Sequence, residues 1–420
     1  MHIWIINQSF RPETNAPANR FHGLATQWEK LGQRVTVLAG QPYRPHGKLA
    51  EGFNGQFQEK QVDGITVRYH WEWITRKKKA LAQALTQLSF AWSLLRKNWR
   101  VTPENRPDII IASSPDFFHT ISAWLLSVRY RVPFIMEVRD LWPEIFKDMG
   151  VLNNRALLWL LEKLARFIYV RAKNIITVTN GYAKQLTEKG VNASKIYVIH
   201  NAVGDADFDA ADDAIKNKAG NNLRSELQIA PLSKVVLYVG NHGKAQALSQ
   251  IIDAARSLIN RNDIHFLIVG DGADKQRLVE MAKGIPNIQF LPNQPKEKVW
   301  AMYDMCTISI SCLRDIPSFA TTIPSKINEI MAAKKPVIAC LQGEAAEIVE
   351  TSGGGIVVPP ETPEKLATAI KNIIDAPDKL EKMATSGRAF VDKHRRYSQL
   401  AQQYLGILQQ AQQKKKKDDV

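Results

Sequence analysis

The stretch KVVLYVGNHGKAQALSQIIDAA, residues 234–255, decides the fold class of this chain. A continuous apolar run ends at Gly240 and passes through a short polar turn into a segment with apolar residues at helical spacing. Continuous apolar runs are typical of parallel strands buried on both faces, and helices between such strands form βαβ units. The stretch therefore predicts one strand–turn–helix unit of a doubly wound parallel sheet.

The same alternation of apolar runs and helical patterns repeats along the chain. The runs are HIWIIN, RVTVLAG, ITVRYH, DIIIAS, PFIMEV, NIITVT and IYVIH in the first half, and KVVLYVG, HFLIVG, NIQFL, CTISIS, PVIAC and GGIVV in the second. We therefore predict an α/β protein with two doubly wound, Rossmann-like parallel sheets that face a cleft. Ligands bind such sheets at the carboxyl ends of the strands, so the site residues are expected there.

A polar stretch between the two sets of runs defines the predicted boundaries. It separates an N-terminal domain, residues 1–200, from a C-terminal domain, residues 234–385, and we interpret residues 201–233 as the connector. A C-terminal helix over 386–412 is amphipathic and is expected to pack back on the body. Residues 413–420 form a basic tail that we expect to be disordered.

Composition narrows the class of protein. The chain has 420 residues, enough for two cores, and a net charge of +15, which favours anionic partners. It contains no RNP-like aromatic motif or zinc knuckle, so a nucleic-acid partner is not expected. The three cysteines lack metal spacing, and no segment reaches the roughly 18 apolar residues of a membrane span. These features predict a cytoplasmic protein.

Two places in the first half follow apolar runs directly. The loop from Gln8 to Asn19 follows HIWIIN and leads into a helix, and Arg20 is expected near the first helical turn, where it faces either solvent or an anion. Arg139 and Asp140 follow PFIMEV, and a charged pair at the end of a buried strand needs a partner. Asp140 is interpreted as a base or as a group that positions a hydroxyl; the alternative is a helix cap.

In the second half, the turn after KVVLYVG has the composition of an anion site. Gly240, Asn241, Gly243 and Lys244 lead from a strand towards a helix, and turn amides at a helix N-terminus bind anions. Gly272 lies in a Gly-Asp-Gly loop after the next run, which by itself is weak evidence for a site.

A second candidate element is SKINEIM, residues 325–331. Lys326 and Glu329 are three apart and share one helix face, whereas Ile327, Ile330 and Met331 are expected to face the core. A carboxylate in the first helical turns also suits the helix dipole, so Glu329 has a purely structural alternative.

One stretch resembles a metal motif. Asp205, Asp207 and Asp209 form an Asp-x-Asp pattern, but they lie in the predicted connector and not at a strand end. We expect them to be solvated, and we expect no metal site in the chain.

Taken together, these pieces resemble the family 4 glycosyltransferases of the GT-B fold. The resemblance rests on YVGNHGKAQALSQIIDAA, FLIVGDGADKQRL, SKINEIMAAKKPVIA and VIHNAV, in this order and spacing. Within the family, NQSFRPETNAPANRF, EVRDLWPE and GNHGKAQAL are similar to the bacterial O-antigen and capsule enzymes, in a branch assigned to N-acetyl-L-fucosamine transfer.

The resemblance implies retaining transfer from a nucleotide-sugar donor, a UDP-linked one at the level of the family, without a metal or any further cofactor. It implies that Glu329 binds the ribose hydroxyls and that Lys326 and the Gly240 turn hold the diphosphate. The implied donor-binding residues are Gly240, Asn241, Gly243, Lys244, Gly272, Thr321, Pro324 and Ser325. The implied catalytic residues are Asp140, Arg139, Lys326 and Glu329, with Asn19 and Arg20 on the acceptor side.

The chain departs from the family pattern at several positions. Thr321 stands where the first of two glutamates is usual, and Asn241 and Gln246 stand where an arginine and a lysine are usual. The usual histidine before the cleft aspartate is Arg139. These departures bear on the identity of the sugar more than on the type of reaction.

The segment Trp71–Arg100 is basic, amphipathic and rich in tryptophan. Such a segment is able to lie on an anionic lipid surface, and an ordinary core-packed helix with solvated ends is the alternative. Its basic residues are Arg76, Lys77, Lys78, Lys79, Arg96, Lys97 and Arg100. We expect peripheral contact with the cytoplasmic face of the inner membrane, where an undecaprenyl-diphosphate-linked saccharide would be the acceptor.

Three other functions remain open from the sequence. A UDP-sugar epimerase shares the GT-B fold but needs paired acid and base carboxylates, which we do not find. A catalytically inactive partner protein would account for Thr321 in place of a glutamate. A nucleic-acid binder would rest on the net charge alone.

Overall fold

The computed structural model describes residues 1–44, 47–75, 80–144, 152 and 154–418. The chain divides into two compact units. The first unit comprises Met1–Asn201 together with Tyr397–Val420, and the second comprises Ala202–Arg396. Each unit is built on one sheet with helices, so the predicted α/β class with two doubly wound sheets is confirmed.

The first unit contains an eight-stranded sheet in the order β3-β4-β2-β1-β5-β6-β7-β8, parallel except for β3. Its strands are β1 His2–Ile6, β2 Arg34–Ala39, β3 Gln58–Val62, β4 Ile65–Tyr69, β5 Ile109–Ser113, β6 Phe134–Val138, β7 Asn174–Thr177 and β8 Ile196–Val198. Its helices are α1 Ala16–Lys30, α2 Ala80–Asn98, α3 His119–Tyr130, α4 Arg155–Arg171, α5 Asn180–Glu188 and, from the end of the chain, α15 Tyr397–Asp418.

The second unit contains a six-stranded parallel sheet in the order β11-β10-β9-β12-β13-β14. Its strands are β9 Lys234–Val239, β10 Ile264–Val269, β11 Ile288–Leu291, β12 Ile308–Cys312, β13 Val337–Cys340 and β14 Gly355–Val358. Its helices are α6 Asp205–Lys216, α7 Ala219–Glu226, α8 Ser249–Ser257, α9 Lys275–Met281, α10 Lys296–Met305, α11 Lys326–Ala332, α12 Glu344–Thr351, α13 Pro363–Ile374 and α14 Pro377–His394.

The central strands are buried on both faces, as their continuous apolar sequences require. All five residues of β1 and all five of β5 are buried, and β1 pairs in parallel with both β2 and β5. In the second unit, β9 pairs in parallel with β10 over its whole length. Burial of both faces explains why valine and isoleucine occupy successive positions instead of alternating with polar residues.

All thirteen predicted apolar runs form strands, and one of the strands in the described residues was not predicted. β3 has the sequence QEKQV and pairs antiparallel with β4 at the edge of the first sheet. An edge strand with exposed faces needs no apolar run, so it leaves no signal of the kind used to find the others.

The prediction that residues 201–233 form a connector between two domains is wrong. Residues 202–233 contain α6 and α7 and belong to the second unit, and only Asn201 belongs to the first. Phe208 on α6 is fully buried, although the surrounding sequence is polar. A short helix needs only a few apolar residues to anchor it, so low apolar content does not indicate a free linker.

The C-terminal boundary also differs from the prediction. Residues 386–412 are not one helix, because α14 ends at His394 and α15 begins at Tyr397. The break coincides with a hydrogen bond of 2.8 Å from the Val203 N–H to the Arg395 carbonyl. α15 belongs to the first unit, where the Trp28 indole N–H donates to the Ala401 carbonyl at 2.9 Å.

The tail predicted to be disordered, residues 413–420, is helical as far as Asp418, and residues 419 and 420 lie outside the described ranges. None of the helices in the part of the chain that the structure describes is long and apolar enough to cross a bilayer.

Candidate active site

The turn after β9 is held by backbone hydrogen bonds to the loop after β10. The Gly240 N–H donates to the Val269 carbonyl at 2.9 Å, and the His242 N–H donates to the Asp271 carbonyl at 2.8 Å. The two loops therefore form one rigid backbone structure at the carboxyl ends of two neighbouring strands, where the sequence predicted an anion site.

Two glycines allow these loops to lie so close together. A Cβ atom at Gly270 would collide with the Gly240 carbonyl oxygen, and one at Gly272 would collide with the His242 backbone. Gly272 was predicted as a donor-binding residue, whereas Gly270 was not singled out. The structure gives both the same local reason, which is contact between the two loops.

The turn does not lead directly into a helix, which corrects the predicted anion site at a helix N-terminus. Lys244 begins a 3-10 turn, Lys244–Gln246, and α8 starts only at Ser249. The Arg314 N–H donates to the Ala245 carbonyl at 2.9 Å and so joins this turn to the loop after β12. Asn241 and Lys244 are exposed, so their side chains remain accessible.

Lys326 lies at the start of α11 beneath the Gly240 turn. Its Nζ atom lies 3.9 Å from the centre of the Tyr238 ring, and the Tyr238 hydroxyl donates to the Asn241 carbonyl at 2.8 Å. The Nζ atom is shielded from water, and within the described ranges it has no hydrogen-bond partner. Burial lowers the pKa of Lys326 to about 8. A buried ammonium without a partner indicates a site for an anion.

Glu329 lies one turn further along α11, and its carboxylate forms no hydrogen bond or ion pair with the described part of the chain. Burial raises the pKa of Glu329, and the nearby Lys296 opposes that rise. The carboxylate caps no backbone N–H, but it lies in the first turn of α11, so the structural alternative, a favourable interaction with the helix dipole, stays open beside the ligand role. Ile327, Ile330 and Met331 are buried as predicted.

Thr321, Pro324 and Ser325 lie between β12 and α11. The Thr321 hydroxyl donates to the Ser318 carbonyl at 3.0 Å and so closes the short 3-10 helix Pro317–Thr321. Pro324 precedes the helix, and Ser325 is its N-cap residue. All three are partly exposed, so they remain accessible next to Lys326.

His242 was not singled out by sequence, although it lies in the predicted turn. Its ring is fully buried, and burial lowers its pKa to about 4, so the imidazole is neutral at pH 7. The ring packs against Phe290 at a centroid distance of 6.2 Å. A histidine in a glycine turn is unremarkable in sequence, and only tertiary packing reveals its burial.

In the first unit, Arg139 and Asp140 directly follow β6, as predicted. The Tyr182 hydroxyl donates to Asp140 Oδ1 at 3.2 Å, and burial raises the pKa of Asp140. Ser114 binds both backbones, because its hydroxyl donates to the Asp140 carbonyl at 3.1 Å and accepts from the Arg139 N–H at 3.3 Å. Arg139 Nε and Nη1 are buried and have no hydrogen-bond partner within the described ranges.

The structure contradicts the prediction that Arg20 faces solvent or an anionic ligand. Its guanidinium pairs with Glu137 through Nε at 3.0 Å and Nη2 at 3.1 Å, and both side chains are buried. The remaining donors bind the carbonyls of Ile199 at 2.9 Å and His200 at 2.7 Å. Arg20 therefore stabilises the first unit and is not available to an acceptor.

Asn19 is likewise engaged within the loop that precedes it. Its amide donates to the Thr14 carbonyl at 3.0 Å and its oxygen accepts from Arg11 Nη1 at 3.0 Å. The helix cap is Asn15, whose side chain accepts from the Ala18 N–H at 3.1 Å. Asn19 orders the loop at the carboxyl end of β1.

A cluster of polar side chains that was not predicted from the sequence surrounds Glu72. The Gln8 amide donates to its carboxylate, and burial raises the pKa of Glu72 to about 8. Gly40 is required beside it, since a Cβ atom there would collide with Glu72 Oε1. Arg44 lies close enough to oppose the rise in pKa and pairs with Asp116 at 3.3 Å. These residues follow β1, β2, β4 and β5, and only the strand order brings them together.

Two aspartates of the Asp-x-Asp pattern form ion pairs. Asp205 pairs with Arg396 at 3.2 Å, and Asp207 pairs with Lys296. Within the described ranges, no group of three or more histidine, cysteine or acidic side chains is arranged to hold a metal ion.

Two family descriptions match the chain. "Glycosyl transferase 4-like domain" matches residues 15–202, and "Glycosyl transferases group 1" matches residues 221–390. The first match contains β2 to β8, the second contains β9 to β14, and together they cover most of the sequence. The chain belongs to the glycosyltransferases that combine these two domains, and it is an enzyme of the GT-B fold.

Individual relatives agree with this class. The chain is 25% identical over 396 residues to the putative colanic acid biosynthesis glycosyl transferase WcaI of Escherichia coli (strain K12), covering 89% of this chain and 92% of the relative. Its fold matches sucrose-phosphate synthase of Thermosynechococcus elongatus with a TM-score of 0.74 at 16% identity, over 97% and 98% of the two chains. It matches HepE of Anabaena in complex with UDP and glucose with a TM-score of 0.71 at 17% identity, over 98% and 100%.

Proposed function

We propose that this glycosyltransferase moves a sugar from a UDP-linked donor to a lipid-linked saccharide with retention of anomeric configuration. The observation that carries the proposal is the buried ammonium of Lys326, which has no hydrogen-bond partner in the described part of the chain and lies beside the Gly240 turn. A diphosphate supplies the negative charge that this group lacks. HepE, whose fold is similar, is described in complex with UDP and with glucose.

In this proposal the second unit holds the donor without a metal or a further cofactor. Lys326, Lys244 and the amides of the Gly240 turn bind the diphosphate oxygens. Glu329, whose carboxylate has no hydrogen-bond or ion-pair partner among the described residues, accepts hydrogen bonds from the ribose hydroxyls. Thr321 stands where the family pattern has a sugar-contacting glutamate, and we assign it to the selection of the sugar.

The chemical step breaks the bond between the anomeric carbon and the diphosphate oxygen, and the bonding electrons leave with the diphosphate. The acceptor hydroxyl attacks the same face, and its proton passes to an oxygen of the leaving diphosphate. Positive charge fixed near that oxygen stabilises the transition state more than the ground state, because negative charge develops there during the reaction. We assign this role to Lys326.

In the first unit we assign Asp140 to an acceptor hydroxyl and Arg139 to an anionic group of a substrate. Arg139 has two buried guanidinium nitrogens without partners in the described ranges, which supports an anionic ligand. A polyprenyl-diphosphate-linked saccharide carries both kinds of group. Undecaprenyl diphosphate is the carrier that we propose, at the cytoplasmic face of the inner membrane.

The name of the relative WcaI refers to colanic acid biosynthesis, which supports a place for this chain in the assembly of a surface polysaccharide. We propose a polysaccharide of the O-antigen or capsule type, with an N-acetyl-L-fucosamine type sugar as the group transferred. The similarity of the loop after β1 and of the Gly240 turn to that branch supports this choice.

The test is a thermal-shift screen over nucleotide sugars that differ in base and in sugar. A ligand at about 100 times its dissociation constant adds roughly 2.7 kcal/mol to the folded state, so a true donor raises the melting temperature visibly. We expect UDP-linked sugars to raise it in the wild type and not in Lys326→Ala. The product formed on lipid-linked saccharide should keep the anomeric configuration of the donor. An epimerised sugar nucleotide formed without acceptor would contradict transfer.

A further inference from the structure

Three helices of the first unit lie side by side and share one outer surface. α3 packs against α2 and against α4. Their inner sides meet in one core, in which Phe90, Leu126 and Ile168 are buried. We call the outward surface of α2, α3 and α4 the three-helix face.

Large apolar side chains are exposed on this face in a regular pattern. On α2 they are Leu81, Leu85, Leu88 and Trp92, spaced by four, three and four residues, which places them in one stripe along the helix. On α4, Trp159 is 60% exposed and Leu160 is 58% exposed. Exposed large apolar side chains in a stripe along a helix are unusual on a soluble protein and indicate a site of interaction.

The charge of the face is almost entirely positive. The three helices carry seven basic residues and one acidic residue, Glu162. Within the described ranges none of the seven pairs with a carboxylate; they are Arg96, Lys97, Arg129, Arg155, Lys163, Arg166 and Arg171. On the second unit, by contrast, Arg256 and Arg277 are in surface ion pairs. The positive charge of the face is therefore left for an anionic partner.

Cations lie over aromatic rings along the face. Arg96 lies 5.4 Å from the centre of the Trp92 ring on α2, and Lys163 lies 5.5 Å from that of Trp159 on α4. Arg171 lies 5.2 Å from the Trp124 ring of α3. Tryptophan next to lysine or arginine is the combination found where proteins meet the headgroup region of a bilayer, because the ring enters the acyl boundary and the cation meets phosphate.

A cavity of about 490 Å³ lies at the α2 edge of the face. Its lining includes Phe57, Trp71, Trp92, Ser93, Arg96 and Lys97. Lys97 lies 4.9 Å from the centre of the Phe57 ring, and no acidic residue lines the cavity. Two cations between aromatic rings fit one phosphate of a lipid headgroup.

We propose that the three-helix face binds the surface of an anionic lipid bilayer, with α4 contributing as much as α2. This extends the proposed membrane contact of residues 71–100 to a second helix about sixty residues further along the chain. The basic residues 76–79 of that segment lie outside the described residues, and the argument does not use them. The apolar stripe enters the acyl boundary, and the unpaired cations lie among phosphates.

The experiment is co-sedimentation of the full chain with vesicles of phosphatidylcholine alone or with added phosphatidylglycerol. One variant changes α4 (Trp159→Ser, Lys163→Gln and Arg166→Gln), and one changes α2 (Trp92→Ser, Arg96→Gln and Lys97→Gln). A matched control changes the second unit (Leu232→Ser, Lys216→Gln and Lys218→Gln), where Leu232 is 89% exposed. We expect each face variant to bind anionic vesicles at least about tenfold more weakly and the control to bind like the wild type.

Equal vesicle binding by the α4 variant and the wild type would overturn the proposal. Wild-type binding that does not increase when phosphatidylglycerol is added is the second outcome that would overturn it. A partner protein in place of lipid would give the second outcome. If a triple variant does not fold, Trp92→Phe and Trp159→Phe replace it, because each keeps an aromatic ring. Each of these two variants should show less quenching of tryptophan emission by bromine-labelled phosphatidylglycerol than the wild type. Unchanged quenching in both contradicts the proposal. Donor binding in the thermal-shift screen is independent, so either proposal can fail without the other.

Discussion

The ammonium nitrogen of Lys326 lies 3.9 Å from the centre of the Tyr238 ring, and within the described ranges it has no hydrogen-bond partner. The ring face offers the buried charge a favourable contact, and a cation over an aromatic ring gains about 2 kcal/mol or more when desolvated. This is less than the cost of burying an ammonium ion, so the site favours a state in which an anion is bound.

Lys326→Ala should slow sugar transfer far more than it weakens binding of the nucleoside alone. The change removes a charge placed where negative charge develops, which costs between about 100-fold and 1,000-fold in rate, roughly 3–4 kcal/mol. Steady-state kinetics with the donor found in the screen provide the measurement. Lys283→Ala is the control, since Lys283 forms an exposed pair with Glu280. A rate within a few-fold of the wild type would remove Lys326 from the mechanism.

Donor binding should weaken as the pH rises through about 8. Burial lowers the pKa of Lys326 to about 8, so the residue is charged below this value and neutral above it. By pH 9 about a tenth of the free enzyme keeps the charge, and binding of a diphosphate then draws a proton from solution. Calorimetry of UDP in buffers of different ionisation enthalpy measures that uptake. Lys326→Arg, which stays protonated, should show none near pH 9.

Glu329→Ala should reduce kcat/KM for the donor tenfold or more, about 1.4 kcal/mol. The carboxylate has no partner in the described part of the chain, so its removal leaves no unpaired protein group and its effect reports on the ligand. Melting temperature in the absence of donor should stay close to the wild type. A variant that loses stability but keeps donor kinetics would indicate a structural role instead.

Gly270→Ala should disrupt the donor turn. The added Cβ would collide with the Gly240 carbonyl oxygen, at a position whose φ is +144°. Gly284→Ala is the matched control, because its φ of +78° is also unfavourable while no atom lies within 4 Å of the new Cβ. The control should lose only about 1–2 kcal/mol of stability. Thermal melts and UDP calorimetry compare the two, and equal losses of UDP affinity would contradict close contact as the cause.

Arg20→Ala should destabilise the first unit by about 3–5 kcal/mol, because it leaves the buried carboxylate of Glu137 without its partner. The two side chains are 1% and 0% exposed. Arg256→Ala, which breaks an exposed pair with Asp253, should change stability by less than about 1 kcal/mol. Differential scanning calorimetry follows both. A transition unchanged by Arg20→Ala would show that the ion pair adds nothing to stability.

Much of the fold follows from local sequence. The run KVVLYVG predicts β9 and the run PFIMEV predicts β6, because burial on both faces of a parallel strand demands apolar residues at successive positions. β3 was not predicted, because a strand at the edge of a sheet with exposed faces does not need apolar residues at successive positions. The break between α14 and α15 escaped it too, because it depends on a hydrogen bond to Val203, far away in sequence.

The candidate site, like the fold, has a part that local sequence predicts and a part that it does not. Lys326, Glu329, Arg139 and Asp140 were predicted as site residues because βαβ units put the carboxyl ends of neighbouring strands at one edge of a sheet, and their contact with ligands stays a prediction. Arg20 was misjudged for the opposite reason: its partner Glu137 lies 117 positions away inside an apolar run, where nothing local marks it as an anion.

The α/β class, thirteen of the fourteen strands that the structure describes and the positions of the predicted site loops follow from the amino-acid sequence alone, since these depend on short-range periodicity and turn chemistry. Which charges are neutralised became clear only from the three-dimensional structure. It paired Arg20 with Glu137 and left Lys326, Glu329 and two nitrogens of Arg139 without partners in the described ranges. Partnership between charges depends on contacts across the sheet, and strand order, which periodicity does not encode, sets those contacts.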